Sequence, residues 1–120
     1  MSKKTKYYKH PGGVIGFPRI VVRSKAYADL SCVARSLMIE LQDVWNPYAK
    51  SIHFSVRRAS KKMNVGISTA CRAFKELESH GFIVCTSDYV WYNGKAREWI
   101  LTWLSSNGSE PKNLWVVWEK

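Results

Sequence analysis

The stretch MNVGISTACRAF, Met63 to Phe74, restricts the folds open to this chain more than any other feature. It places Asn64 and Gly66 between two short segments with apolar residues at helical spacing, and Asn and Gly accept a left-handed backbone most readily. The stretch therefore predicts two helices joined by a tight turn. Val65 is expected to lie between them as an apolar plug, and Gly66 to be the N-cap of the second helix.

Apolar residues at three- and four-residue steps predict three helices in all. The first lies within DLSCVARSLMIELQDVW, after Ser31 as N-cap and before Pro47. The second runs from Ser55 to Met63 and the third from about Ile67 to His80, with Gly81 as the left-handed residue that ends it. The predicted buried faces are Ala34, Leu37, Met38, Leu41 and Trp45, then Val56, Ala59 and Met63, then Ala70, Ala73, Phe74 and Leu77.

Short apolar runs outside these helices predict strands. Arg19 to Val22 and Ile52 to Phe54 are expected to form very short ones. FIVCT and REWILTWL flank Asn93-Gly94, the dipeptide that signals a hairpin most strongly. The expected fold class is therefore mainly α with a small β-hairpin. Three helices plus a two- or three-stranded wing sheet make the winged helix-turn-helix layout.

The chain divides into three parts by composition. Residues 1–13 are expected to form a flexible basic arm, and residues 14–104 the winged helix-turn-helix domain. Residues 105–120 form an apolar C-terminal tail, in which Leu114 to Trp118 are too apolar for free solvent. The tail is expected to add a strand to the domain or to contact a second subunit or a protein partner.

Positive charge is both large and clustered, because 19 Lys and Arg against 9 Asp and Glu give a formal net charge of +10. Residues 1–25 carry no acid, and a second basic cluster consists of Arg57, Arg58, Lys61 and Lys62. Such clusters either keep a small protein in solution as a solvated face or bind a polyanion, most often nucleic acid.

Several functional classes have no support in the sequence. No apolar run approaches the roughly 20 residues of a membrane span, and no secretory signal peptide is visible. The three cysteines and three histidines lack metal-ligand spacing, and no phosphate-cradling glycine loop or catalytic constellation is present. We therefore expect no enzyme activity, no cofactor and no metal, and a place in the bacterial cytoplasm or on the nucleoid.

The segment SVRRASKKMNVGISTACRAFKELESHGFIVCT with the later AREWILTW resembles the winged helix-turn-helix regulators of bacteria, their phages and plasmids. The resemblance covers roughly Ser24 to Leu104. The small residue that this family has in the middle of its second helix is Ser60 here. Asn64 stands where the family's turn usually has Gly, and Gly66 replaces the usual Ser or Thr cap and its phosphate-contacting hydroxyl. The resemblance implies binding to double-stranded DNA.

Once the buried faces are subtracted, the outer face of the third helix is available to enter a major groove. The residues expected to read bases are Ile67, Ser68, Cys71 and Arg72. Those expected to contact phosphates are Arg57, Arg58, Lys61, Lys62, Thr69 and Lys75, and the wing contributes Lys95 and Arg97.

These assignments have structural alternatives. Arg72 can grip guanine through O6 and N7, or it can pair with Glu76 one turn further along the helix. Ile67 can touch a thymine methyl or pack against the wing, and Ser68 can bind DNA or stabilise the helix start. His80 is expected to cap the third helix.

Together these features predict a sequence-specific double-stranded DNA-binding transcription regulator, a repressor of phage or mobile-element type that binds as a homodimer. Two other functions remain open. A replication initiator or partition factor would bind origin repeats through the same surface. A phage-type interaction protein would use the winged helix to bind and inhibit a host protein complex.

Overall fold

The computed structural model describes residues 10–86 and 97–120. In this part the chain forms a compact mixed α/β domain with five α-helices, a three-stranded antiparallel sheet and one 3-10 helix. The elements in chain order are α1 (Arg19–Val22), α2 (Lys25–Ala28), α3 (Cys32–Asp43), β1 (Ile52–His53), α4 (Val56–Met63), α5 (Ile67–Ser79), β2 (Ile83–Cys85), β3 (Glu98–Leu101) and the 3-10 helix η1 (Leu114–Val117).

The three longer helices begin at the serine and glycine caps that the sequence predicts. Ser31 Oγ accepts a hydrogen bond from the Ala34 N–H at the start of α3, and Ser55 Oγ accepts one from the Arg58 N–H at the start of α4. These bonds satisfy backbone donors that a helix start otherwise leaves open. Helix α5 follows Gly66 directly, as predicted.

The core lies where α3, α4 and α5 pack against one another and against the sheet. The predicted faces of these helices supply most of it, with Ala34, Leu37, Met38, Leu41, Ala59, Ala70, Ala73, Phe74 and Leu77 all buried. Three predicted members are only half-buried: Trp45, which lies beyond the end of α3 at Asp43, and Val56 and Met63 of α4. Phe74 stacks on Trp99 of β3 with ring centroids 5.1 Å apart, which joins α5 to the sheet.

Strand β3 is the middle strand of the sheet, in the order β1-β3-β2. Ile52 lies opposite Trp99 on one side, and Ile83 lies opposite Leu101 on the other. The predicted pairing of the FIVCT and REWILTWL segments is confirmed, as is the short strand at Ile52. The Asn93-Gly94 turn predicted between β2 and β3 lies outside the described residues.

The prediction of a strand at Arg19 to Val22 is wrong, because this segment is the one-turn helix α1. Pro18 precedes it as N-cap, a place where its missing N–H costs nothing and its fixed φ suits the helix start. The single turn buries Val21 and leaves Ile20 and Val22 exposed. Helix α2 was not predicted, although Ser24 caps it by accepting from the Tyr27 N–H at 3.1 Å.

The C-terminal tail packs onto its own domain, and Leu114 to Val117 form a 3-10 helix where the sequence predicted a strand. Trp115 is only 5% exposed and stacks on Phe82 with ring centroids 6.1 Å apart. Gly81 has φ +83°, and a Cβ there would lie 2.8 Å from the Leu114 carbonyl carbon. The close approach of η1 to the end of α5 therefore requires glycine at this position. A contact of the tail with a second subunit stays a prediction.

Candidate nucleic-acid interface

The turn between α4 and α5 sets the angle at which the two helices meet. Asn64 takes the predicted left-handed conformation, with φ 57° and ψ 48°. The Val65 N–H donates to the Ser60 carbonyl at 3.1 Å, and Ser60 Oγ donates to the Val65 carbonyl at 2.5 Å. Ser60 thus bonds both backbone polar groups of Val65, the N–H through its carbonyl and the C=O through its hydroxyl. These two hydrogen bonds fix the turn against α4.

Helix α4 has one apolar side and one cationic side. Ala59 is buried and Val56 and Met63 are half-buried, which confirms the predicted inward stripe. All four basic residues that the sequence assigned to phosphate contact on this helix are exposed: Arg57, Arg58, Lys61 and Lys62. They form two pairs four residues apart, so they lie one above the other along the outer side of the helix.

Helix α5 presents a second exposed stripe next to the first. Ser68, Arg72 and Lys75 are exposed and lie on the side opposite the buried residues of the helix. Ile67 is 52% exposed at the helix start. The structure places Thr69 and Cys71 differently from the prediction, because both flank this stripe and are half-buried. Thr69 Oγ1 lies 3.4 Å from Arg72 Nη2, which makes it a neighbour of the guanidinium.

The alternative role of Arg72, an ion pair with Glu76, is not what the structure contains. Both carboxylate oxygens of Glu76 face Ser31 instead, with the Ser31 N–H donating at 2.5 Å and the Ser31 hydroxyl at 2.8 Å. Glu76 therefore accepts hydrogen bonds at the start of α3, on the surface where α5 meets α3. Because Glu76 is engaged there, the Arg72 guanidinium remains exposed.

We call the six exposed cations of α4 and α5 the cationic face: Arg57, Arg58, Lys61, Lys62, Arg72 and Lys75. Among the described residues, ion pairs within 4 Å join His53 to Glu98, His80 to Asp29 and Lys120 to Asp29, and none includes a member of this face. Like charges on adjacent helices create a positive potential, and no acid of the described residues lies within 4 Å of these cations to pair with them. The face is thus suited to an anionic surface.

Arg58 differs from the other members because an aromatic ring supports it. Its guanidinium carbon lies 4.6 Å from the centroid of the Phe54 ring, at cation–π distance. Phe54 is itself buried, and its backbone carbonyl accepts from the Trp99 indole N–H. Arg58 is therefore held in place by the core as well as exposed to solvent.

The structure describes only one of the two predicted wing residues. Lys95 lies outside the described residues. Arg97 is half-buried immediately before β3, and its carbonyl accepts from the Phe54 N–H at 3.1 Å. The backbone of Arg97 therefore adjoins the residue that precedes the α4 cap, so the start of β3 and the start of α4 lie side by side.

A second charged cluster lies at the far end of α5, and the sequence indicated only one of its members. His80 caps α5 as predicted, with Nδ1 2.7 Å from the Glu76 carbonyl, and Nε2 lies 2.9 Å from Asp29 Oδ2. Trp118 stacks on the imidazole with centroids 4.5 Å apart, and Lys120 pairs with Asp29. We call these four residues the C-terminal corner.

The surroundings of Asp29 in the C-terminal corner favour the charged form of its carboxyl group. The hydrogen bond from His80, together with the charge of Lys120, lowers the pKa of Asp29 below its ordinary value of 3.8. Asp29, His80 and Lys120 are far apart in the chain, so no local sequence pattern could have brought them together.

No family model, curated protein or solved structure matches this chain. No helix within residues 10–86 and 97–120 has both the length and the apolar character needed to cross a membrane. The function has therefore to be inferred from the cationic face and the fold that presents it.

Proposed function

We propose that this chain is a winged helix-turn-helix protein that binds double-stranded DNA through the cationic face. It acts as a sequence-specific transcription regulator, a repressor of phage or mobile-element type in the bacterial cytoplasm. The order α3, β1, α4, α5, β2, β3 supports the proposal, since it combines three helices, a tight turn between the last two and a small antiparallel sheet.

In this proposal α5 enters the major groove and α4 lies across the phosphate backbone. Arg72 reads guanine through O6 and N7, because its guanidinium is exposed about one and a half turns into α5 and no acid pairs with it. Ser68 lies one turn before Arg72 and Ile67 is exposed at the helix start, so they offer a hydroxyl and a methyl group to base edges. Cys71 takes a lesser part because it is half-buried.

Phosphate contacts come from the remaining cations, Arg57, Arg58, Lys61, Lys62 and Lys75. They fix the position of the protein on the duplex but carry no sequence information. Thr69 contributes by supporting Arg72 rather than by direct contact, since it is half-buried and 3.4 Å from the guanidinium. Lys95 and Arg97 are proposed to reach the neighbouring groove or phosphate from the wing.

The observation that carries the proposal is the lack of any acid partner for six exposed cations on two adjoining helices of the described structure. Surface cations that serve only solubility are usually interspersed with acids. Here like charges on two helices joined by a tight turn repel one another, and a row of phosphates relieves that repulsion. A polyanion is therefore the partner that fits this surface best.

One recognition helix contacts only a few base pairs, which is too little for a unique genomic site, so we propose a homodimer on an inverted repeat. The exposed side of the tail, with Leu114 and Val117, is the proposed contact between protomers. Selection of bound fragments from a random DNA pool tests this point. Enriched inverted repeats support the dimer, whereas tandem repeats favour a replication or partition role.

The salt dependence of duplex binding tests the function itself. About six phosphate contacts at roughly 0.9 counterions each predict a slope near −5 when log Kobs is plotted against log salt. Fluorescence anisotropy with a labelled duplex measures it.

The matched variants remove two cations each. The double variant Arg57→Gln, Lys61→Gln should flatten the slope by about two units. Lys50→Gln, Lys112→Gln removes the same charge from exposed positions outside the cationic face and should leave the slope nearly unchanged. Equal effects of the two doubles, or a wild-type slope near zero, would contradict the proposal.

A further inference from the structure

A second concave surface lies on α1, the start of α2 and η1, away from the cationic face. It is an open groove of about 570 Å³. Arg19, Arg23 and Lys25 line it, and no acidic residue does. None of these three cations makes an ion pair with an acid of the described structure. The groove is therefore positive, like the cationic face, but its walls are different.

The walls of the groove are apolar as well as cationic. Ile20 is 70% exposed and Val116 is 61% exposed, and both line the groove together with Trp115 and Trp118. Large aliphatic side chains left this open in a concave surface mark a place that another apolar group covers. A phosphate backbone offers no such group, so the groove is unlike the cationic face in the partner it fits.

Charge excludes the occupants that this chain could supply itself. The arm at residues 1–9 carries Lys3, Lys4, Lys6 and Lys9 and no acid, so it is repelled by the groove. If the groove met its counterpart on a second copy, the unpaired Arg19, Arg23 and Lys25 of the two copies would face each other, which opposes a self-contact through this surface. The fitting occupant therefore comes from another molecule and combines negative charge with apolar side chains.

The groove is also separated from the proposed DNA surface. Trp118 borders it and stacks on His80, the C-cap of α5, whereas the DNA-reading end of α5 begins at Gly66. The 13 residues of α5 span about 20 Å at 1.5 Å per residue. Trp118 and the groove that it borders therefore lie about 20 Å along α5 from Gly66.

We propose that the groove between α1 and η1 binds an acidic segment of a partner protein, with its carboxylates on Arg19, Arg23 and Lys25 and its apolar side chains against Ile20 and Val116. This inference does not depend on DNA binding, because none of its residues belongs to the cationic face. It gives the regulator a surface through which a second protein would be recruited or sensed.

The test uses a fluorescein-labelled synthetic peptide of interspersed Glu, Leu and Trp residues, measured by anisotropy without DNA. A control peptide has Lys in place of every Glu. The acidic peptide should bind and the basic one should not. Arg23→Glu should weaken binding about fivefold or more, whereas Lys50→Glu, the same change at an exposed site elsewhere, should weaken it less than about twofold.

A second pair of variants separates docking from diffuse attraction to a basic protein. Val116→Asp and Val14→Asp add the same charge to exposed valines, but only Val116 lines the groove. Val116→Asp should lose about fivefold or more in affinity and Val14→Asp less than about twofold. Melting curves establish that each variant is folded.

Three results would overturn the inference. They are failure of the acidic peptide to bind, equal losses within either matched pair, and displacement of the peptide by excess duplex DNA together with weaker DNA binding by Arg23→Glu. The last result would make the groove a nucleic-acid surface. If the acidic peptide binds as expected but the wild-type protein does not bind duplex DNA, the proposed function is wrong and the inference about the groove is still supported.

Discussion

The cationic face covers the outer sides of α4 and α5, the C-terminal corner lies at the end of α5, and the two use charge in opposite ways. At the corner, Asp29 bonds His80 at 2.9 Å and Lys120 at 3.5 Å, and Trp118 covers the imidazole. On the cationic face, six charges lie exposed without an acid partner among the described residues. Charge therefore helps to close the fold at the C-terminal corner and is left available on the cationic face.

Arg35 and Arg57 show the same contrast between a charge used within the fold and a charge left exposed. Arg35 lies over the Tyr27 ring at 4.7 Å and donates to the carbonyls of Tyr27 and Ala28, so it braces the end of α2. Arg57 is exposed on α4 and makes no hydrogen bond or ion pair that the structure records. The planar guanidinium suits both uses, and its surroundings decide which one it has.

The largest expected effect concerns Trp115, the buried residue of the C-terminal tail. Trp115→Ala should lower the free energy of unfolding by about 3–5 kcal/mol, because it empties a buried site between η1 and Phe82. Trp115→Phe should cost much less, since the indole N–H has no hydrogen-bond partner among the described residues and its loss breaks no bond. Urea unfolding measures both. Similar losses for the two variants would show that ring burial is not what anchors the tail.

The prediction of intermediate size compares substitutions at Arg35 and Arg57. Arg35→Ala should lose about 1–2 kcal/mol of stability through its carbonyl bonds and ring contact, and should leave the salt slope of DNA binding unchanged. Arg57→Ala should stay within about 0.5 kcal/mol of the parent and flatten the slope by about one unit. Urea unfolding and salt titration of both variants check this. The account is contradicted if Arg35→Ala changes the slope as much as Arg57→Ala does.

The smallest expected effect is the pH dependence of the corner. Because the folded-state pKa of Asp29 lies below 3.8, its contribution to stability is present above that pH and is lost as pH falls through the folded pKa. Asp29→Asn should therefore be less stable than the parent at pH 5, and the difference should shrink by about pH 3. Thermal melts at both pH values measure it. A difference that does not change with pH would show that the pairing with His80 is not electrostatic.

The sequence predicted the middle of the molecule better than its ends. The serine caps, the left-handed Asn64 and the helical spacing of α3, α4 and α5 are local signals, so the sequence sufficed for them. The four residues of α1 could not be assigned, since RIVV favours a strand by composition and only the packing of Val21 with Pro18 ahead of it makes a helix. Ser24 was an available signal for α2 that went unused.

The candidate site divides in the same way. The exposure of the α4 cations and of Arg72 follows from helix periodicity, and the structure agrees with it. The hydrogen bond from Ser31 to Glu76 joins residues 45 apart in the chain. No local sequence signal therefore indicates that Glu76 is engaged there and does not pair with Arg72. The same holds for the corner, where His80 and Asp29 are 51 residues apart. The groove between α1 and η1 was also missed, because it joins two segments from opposite ends of the chain.

The central claim is that Arg72 reads bases while the cations of α4 hold the backbone. Arg72→Ala should weaken binding to a selected duplex by about 1–3 kcal/mol and leave affinity for random duplex nearly unchanged. Arg57→Ala is the matched control and should weaken both duplexes alike. Arg57 is preferred to Arg58 here, because Arg58 also packs on Phe54. With unchanged melting curves, this pattern is the predicted result. If Arg72→Ala binds the selected duplex as tightly as the parent does, α5 is not the recognition helix and the account is wrong.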